Sequence, residues 1–239
     1  AGSNVLVVGG AGITEALVER ELRPVRSMAD DPVAVVQGYA PDVDWRQLAE
    51  ASYAVNAGVL WVATNTDLTI PTARGIAPGN GTLVQAVRTA TGRDPVVAGK
   101  PQLPLHQEAV ARTGSHRPLV VGDRLDTDIE GAVRAGTPSL LVLTGVTDPS
   151  ALIAAPVSQR PSYLAADLRG LLHAQPPVEA GPDGFLCNGW RATVVGGRLE
   201  LTEDGADPID GLRALCAAAW STDEPVGASA NAALRRLDL

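Results

Sequence analysis

The stretch Val120-Val121-Gly122-Asp123-Arg124-Leu125-Asp126-Thr127-Asp128-Ile129-Glu130-Gly131-Ala132 places one carboxylate at the end of a short apolar run and another five residues on. Carboxylate oxygens suit Mg²⁺, which keeps several waters and needs few protein ligands beside a substrate phosphate. Asp123 and Asp128 are therefore candidate metal ligands. Thr127 and Glu130 have capping-box spacing, and Asp126, or Asp128 in a second role, favours a helix N-terminus. The other chemical residue is Lys100, in Val96-Val97-Ala98-Gly99-Lys100-Pro101, the only lysine beside 18 arginines. A compact ammonium just past an apolar run can neutralise a phosphate or a carboxylate nucleophile. Flanking Gly and Pro fix the backbone and let a ligand come close.

The elements that must position these groups follow from the alternation of apolar runs and amphipathic stretches. Val5 to Val8, Val33 to Val36, Val59 to Val62, Val96 to Ala98, Leu119 to Val121 and Leu140 to Leu143 read as buried parallel strands. Helices are expected at Thr14 to Arg23, Trp45 to Asn56, Gly81 to Thr91, Leu105 to Thr113 and Asp128 to Ala135. The class is α/β with right-handed crossovers. About 23 residues link Lys100 to Asp123, room for one helix and one strand, so the two are expected to end adjacent parallel strands and share a crevice. Asn65 to Pro78 reads as an irregular loop at a strand end, where α/β proteins hold ligands. Past Leu172 a Pro and Gly linker leads to a hairpin about Gly196-Gly197 and an apolar helix from Ile209 to Trp220.

Gly99-Lys100-Pro101, a helix, and then Val121-Gly122-Asp123 to Thr127-Asp128-Ile129 resemble the third and fourth motifs of haloacid dehalogenase (HAD) superfamily phosphatases. The likeness is to the class with a large α/β cap between its second and third motifs. Ala63-Thr64-Asn65-Thr66-Asp67 and Pro78-Gly79-Asn80-Gly81-Thr82 look like the substrate loop and last helix start of such a cap. The resemblance implies a HAD-like Rossmannoid parallel sheet, present in part. It divides the chain into an α/β cap at 1–95, core at 96–172, and a small α+β extension at 173–239. Lys100 would stabilise the nucleophile and the transferring phosphoryl group, Asp123 would bind Mg²⁺, and Asp128 would orient the metal's water or Lys100. Asn65 and Asp67 would face the leaving part of the substrate. The family's nucleophile motif, Asp-x-Asp, is expected upstream of Ala1. Asp42-Val43-Asp44 has the spelling but no strand before it, and Asp42 or Asp44 reads as a helix N-cap.

A formal charge of −8 argues against nucleic acid, and 45% apolar with 19% charged residues fits a globular chain. No apolar run approaches the length of a membrane span, and no secretory signal opens the chain. Two cysteines, Cys187 and Cys216, give no disulfide framework and suggest buried residues in a cytoplasmic protein. His106, His116 and His173 have no ligand spacing, and the four tryptophans are expected to be packing anchors. The family resemblance implies a small phosphorylated metabolite as partner, glycerol 3-phosphate or a similar short phosphoester. Homo-oligomerisation is left open. The alternative is a dinucleotide-binding module or a non-catalytic ligand-binding protein. Gly9, Gly10 and Gly12 follow a strand, but Glu15 stands where the fingerprint needs a third glycine.

Overall fold

The structure, a computed structural model, describes residues 1–222 and 226–239. They form two compact units, Ala1–His116 and Arg117–Leu239. In chain order the first contains β1 (Asn4–Val8), α1 (Ala11–Glu19), β2 (Arg23–Val25), β3 (Ala34–Gln37), α2 (Trp45–Asn56) and β4 (Leu60–Ala63). It continues with β5 (Thr69–Thr72), β6 (Gly75–Pro78), α3 (Asn80–Thr91), β7 (Val96–Val97) and α4 (Leu103–Thr113). Five strands make a parallel sheet in the order β2-β1-β3-β4-β7. Leu6, Val8, Val35, Trp61 and Ala63 project at strand period onto one face. There they meet Ala51, Ala54 and Val55 of α2 and Val84 and Val87 of α3, spaced at helical period. Asp44 caps α2 as expected, its Oδ1 accepting the Gln47 N–H at 3.0 Å.

The helix expected at Thr14 to Arg23 starts at Ala11 and stops at Glu19, and Arg23-Pro24-Val25 forms an edge strand. Proline lacks a donor for a ladder, and an edge tolerates it. The loop expected from Asn65 to Pro78 contains the β5–β6 hairpin. Its turn is closed by the Thr72 hydroxyl, which donates to the Gly75 carbonyl at 2.7 Å. Gly9 has φ +139°, and a Cβ there would lie 3.0 Å from the Gly38 carbonyl oxygen. Close packing of two strand ends thus accounts for a glycine that also fits a dinucleotide fingerprint.

The second unit contains β8 (Val120–Gly122), a π-helical turn over Leu125–Ile129, α5 (Glu130–Arg134), β9 (Ser139–Val142), α6 (Pro149–Ile153) and β10 (Tyr163–Ala165). It ends with β11 (Glu179–Gly181), β12 (Gly184–Cys187), β13 (Trp190–Val195), β14 (Arg198–Glu203), α7 (Pro208–Trp220) and α8 (Gly227–Leu237). One parallel sheet runs β10-β9-β8, and an antiparallel one β11-β12-β13-β14, whose last hairpin turns at Gly196-Gly197 as expected. One apolar cluster serves both sheets. Leu125, Ile129, Leu141, Leu152 and Leu164 join Trp190, Leu199, Leu201, Leu212, Leu215 and Leu234.

Two expectations are corrected. Lys100 and Asp123 do not end adjacent strands: β7 pairs with β4 in the first sheet, and β8 pairs with β9 in another. The connection from β4 to β7, residues 64–95, is longer than the stretch of residues 98–119 that leads from β7 to β8, so distance along the chain does not decide which strands pair. Trp61 and Trp190 are buried, but Trp45, at the exposed start of α2, keeps 75% of its surface in water.

Cys187 and Cys216 are buried free thiols. Burial, followed by the neighbouring Asp210 carboxylate, pushes Cys187 up to about 11, and burial alone pushes Cys216 up. A folded-state value above the usual range leaves the thiol protonated at neutral pH, and the thiolate is the reactive form. Ellman's reagent at pH 8 is expected to react with neither cysteine in the native protein and with both after denaturation.

Candidate active site

The first sheet ends in step. Val8, Gln37, Ala63 and Val97 lie in one row, and Asn65 and Lys100 follow two and three residues past the ends of β4 and β7. Gly99 lets these segments meet, since a Cβ there would fall 2.0 Å from the Thr64 carbonyl oxygen. The loop from Asn65 to Leu68 is pinned by its own side chain and by the start of α3. Asn65 Oδ1 accepts the Asp67 N–H at 3.1 Å, and Asn80 Nδ2 donates to the Asn65 carbonyl at 2.8 Å. Gly81 N donates to the Asp67 carbonyl at 2.8 Å, and Thr82 Oγ1 to the Leu68 carbonyl at 2.6 Å. Gly79 and Gly81 leave no room for side chains against this loop.

The result brings three of the expected residues together. Lys100 Nζ lies 3.5 Å from Asp67 Oδ2, with Lys100 38% and Asp67 22% exposed. Asp67 Oδ1 and Asn80 Oδ1 are buried acceptors without a hydrogen-bond partner. Asn65, expected to face substrate, instead spends its side-chain oxygen on the turn that presents Asp67. Asn80 was not anticipated. Its signal was its place at the start of a helix beside the loop, between two glycines.

In the second unit, Asp123 follows β8 and is held by the loop after β9. Its Oδ2 accepts the Val146 N–H at 2.8 Å, and its carbonyl accepts the Thr147 N–H at 3.1 Å. Gly145 makes this possible, since a Cβ there would fall 1.9 Å from Asp123 Oδ2. Asp128, 8% exposed, lies against Gly122, and its Oδ2 accepts the Arg124 N–H at 3.1 Å. The π-helical turn aims it there: the N–H groups of Asp128 and Ile129 share the Arg124 carbonyl, each at 3.1 Å. Such turns recur at functional sites. The capping box does not form, because no side chain caps this turn and Thr127 Oγ1 is buried without a hydrogen bond. Asp126 pairs with Arg124, and Glu130 with Arg134 and Gln159.

The donor set fits a hard cation in part. Asp123 Oδ1 accepts no hydrogen bond from the described residues, so one carboxylate oxygen is uncommitted. Among the described residues no three or more His, Cys, Asp and Glu side chains gather into a metal cage. One or two carboxylates, completed by waters and substrate oxygen, suit Mg²⁺ better than a metal that needs a closed protein cage. The Gly145–Thr147 loop carried no sequence signal beyond a glycine after a strand. Gly145→Ala is expected to force the loop off Asp123 and to destabilise the protein by about 1–3 kcal/mol, measured by urea denaturation.

A family model described as HAD-hydrolase-like matches residues 97–171, and one described as a GCN5-related N-acetyltransferase-like domain matches 187–239. The chain is 48% identical over 228 residues to a D-glycerol 3-phosphate phosphatase of Mycobacterium tuberculosis, covering 92% of this chain and 63% of that protein. It spans about three fifths of the length of curated relatives that it matches. A solved glycerol phosphate phosphatase from Mycobacterium tuberculosis, in complex with magnesium, is similar with a TM-score of 0.84 and 45% identity over 99% of this chain and 72% of that one. The chain belongs to the HAD-like hydrolase family. A p-nitrophenyl phosphatase from Archaeoglobus fulgidus is a more distant HAD-like neighbour, with a TM-score of 0.62 and 30% identity over 71% of this chain and 66% of that one. These comparisons bring no support to the dinucleotide-binding alternative. As a HAD-like chain it keeps the parallel sheets expected of its fold, and among the described residues no helix is long and apolar enough to cross a membrane.

Proposed function

We propose that this chain is the larger part of a Mg²⁺-dependent phosphomonoesterase. It hydrolyses a small phosphorylated metabolite, glycerol 3-phosphate first, through an aspartyl-phosphate whose aspartate belongs to a segment before Ala1. The observation that carries this is the 48% identity with a D-glycerol 3-phosphate phosphatase over nearly the whole chain. The edge of β8 supports it. Its Val120 and Val121 are a buried-strand sequence only partly buried, and β8 is the last strand of its sheet among the described residues. A further parallel strand on that edge would end beside Asp123.

Residues 1–95 then form the cap, whose sheet takes in Val96–Val97 as its last strand, residues 96–172 the carboxyl part of the core, and 173–239 an extension. Asp123 and Asp128 would hold the metal, which when bound neutralises charge on the phosphoryl oxygens. Asp123 offers its uncommitted oxygen, and Asp128 fixes the backbone of Arg124 so that the loop keeps its shape. Lys100 brings its ammonium to the phosphoryl group, with Asp67 steering it, and Asn65 and Asn80 hold Asp67 in place. Phosphoryl transfer needs positioned positive charge more than acid or base strength. The cytoplasm suits two free thiols.

The test is phosphate release by the protein with its upstream segment, assayed on glycerol 3-phosphate, phosphoglycolate, pyridoxal phosphate and nucleotide monophosphates, with Mg²⁺ and with EDTA. Release from glycerol 3-phosphate that disappears with EDTA is the expected result. A folded protein that releases phosphate from none of them, or that changes NADH fluorescence on binding, would overturn the reading.

A further inference from the structure

The reaction proposed above makes no use of the segment matching an acetyltransferase-like model, so acyl-coenzyme A is the ligand to test against it. Its diphosphate would need N–H donors or cations, and the N-terminus of a helix is the usual place. At α7 these are taken. Asp207 Oδ1 accepts the Ile209 N–H at 2.9 Å, Pro208 has none, and the N–H groups of Asp210 and Gly211 bond the Asp207 carbonyl. Asp207 and Asp210 also set two carboxylates there. At α8 the Ser229 N–H and hydroxyl both donate to the Val226 carbonyl, and the same hydroxyl accepts the Leu199 N–H at 2.9 Å. The four strands pair in chain order, with one β-bulge between β13 and β14 at Arg191 and Ala192. These residues do not fit acyl-coenzyme A.

What α7 does present is Arg213. Its Nη1 donates to Asp210 Oδ1, its Nε to Gln175 Oε1 at 3.1 Å, and its Nη2 to the Leu164 carbonyl. Gln175 Oε1 also accepts the Leu164 N–H at 3.4 Å. Asp210, 4% exposed, is held in turn by Asn188 Nδ2 at 2.9 Å. Leu164 lies in β10, whose outer edge has no strand partner among the described residues. A guanidinium and an amide, bonded to each other, therefore stand where the next strand would donate and accept. Leu164 lies opposite Leu141 of β9, and Leu141 opposite Gly122 of β8. One row about 10 Å wide thus runs from the Arg213 contact to the residue before Asp123.

We propose that Arg213 is a positioning residue. By closing the edge of β10 it fixes the row that ends at Gly122, so the extension serves to steady the loop of Asp123 and does not bind acyl-coenzyme A. The proposal rests on the reading of Asp123 as a metal ligand, and its test separates the two. Arg213→Met and Arg213→Lys, with Leu201→Ala as a control that loosens the same core elsewhere, are compared in the protein with its upstream segment. Hydrogen exchange by mass spectrometry is followed in peptides covering 120–128 and 162–166, and Mg²⁺ affinity by calorimetry. Arg213→Met is expected to speed exchange in both peptides by roughly tenfold and to weaken Mg²⁺ by roughly fivefold, with Arg213→Lys between it and the native protein. Leu201→Ala is expected to leave the 120–128 peptide and the Mg²⁺ affinity unchanged.

A drop in melting temperature for Arg213→Met without change at 120–128 would overturn the positioning role. A native protein that binds no Mg²⁺ would overturn the metal reading, while the exchange data still decide for or against Arg213. Acetyl-coenzyme A titrated to millimolar concentration is expected to give no saturable heat, and a saturable isotherm would overturn its exclusion.

Discussion

Asp123→Asn is expected to abolish Mg²⁺-dependent turnover, lowering kcat by roughly 10³-fold or more. A metal-assisted step supplies several kcal/mol, and each 1.36 kcal/mol is tenfold in rate. The substitution separates charge from fold. Asparagine has nearly the same volume, and its carbonyl oxygen can still accept the Val146 N–H that Asp123 Oδ2 accepts now. The Thr147 N–H bonds the main chain and is not touched. Stability should therefore change little while the metal affinity falls. Urea denaturation and a Mg²⁺ titration of the same preparation check both halves, and a variant that keeps its rate would remove Asp123 from the metal site. Asp128→Asn should cost less in rate, and its amide oxygen can likewise accept the Arg124 N–H that Asp128 Oδ2 accepts now.

Lys100→Met is expected to lower kcat/KM by roughly 10²–10³-fold, the usual loss when one group stabilising transition-state charge is removed. Its effect on stability should be small, because the pair with Asp67 is partly exposed and such pairs contribute about 0–1 kcal/mol. Lys100→Arg should also lose most of the rate. It keeps the charge, but a planar fork replaces a point donor, and the Gly99 backbone already touches the Thr64 carbonyl, leaving little room for adjustment. Steady-state kinetics with thermal unfolding measures both. An arginine variant with normal kcat/KM would show that any cation suffices and would end the specific role of Lys100.

The sequence displayed the groups that end a strand and hid the groups that hold them. Asp123 and Lys100 stood out because an apolar run, a glycine and a charged residue in that order are local features. Asp44 as a cap and Gly196-Gly197 as a hairpin turn were legible for the same reason. The pairing of β7 with β4 was not, because strand neighbours are chosen by the geometry of crossovers and not by spacing along the chain. The support of Asp123 by Val146 and Gly145 spans more than twenty residues, and that of Leu164 by Arg213 nearly fifty. Neither leaves a periodic trace. Thr127 and Glu130 spelled a capping box, but the π-helical turn, set by the Arg124 carbonyl, took the backbone elsewhere.

The shared core of the second unit bears on how this protein could be shortened. A version cut after Leu172 would strip Leu125, Ile129, Leu141, Leu152 and Leu164 of the side chains that now cover them, while leaving the chemistry-bearing residues untouched on paper. Wetting that much apolar surface favours clumping over folding. The tail and the core it covers thus stand together, and a designer seeking a smaller protein would have to recoat that surface before removing the tail.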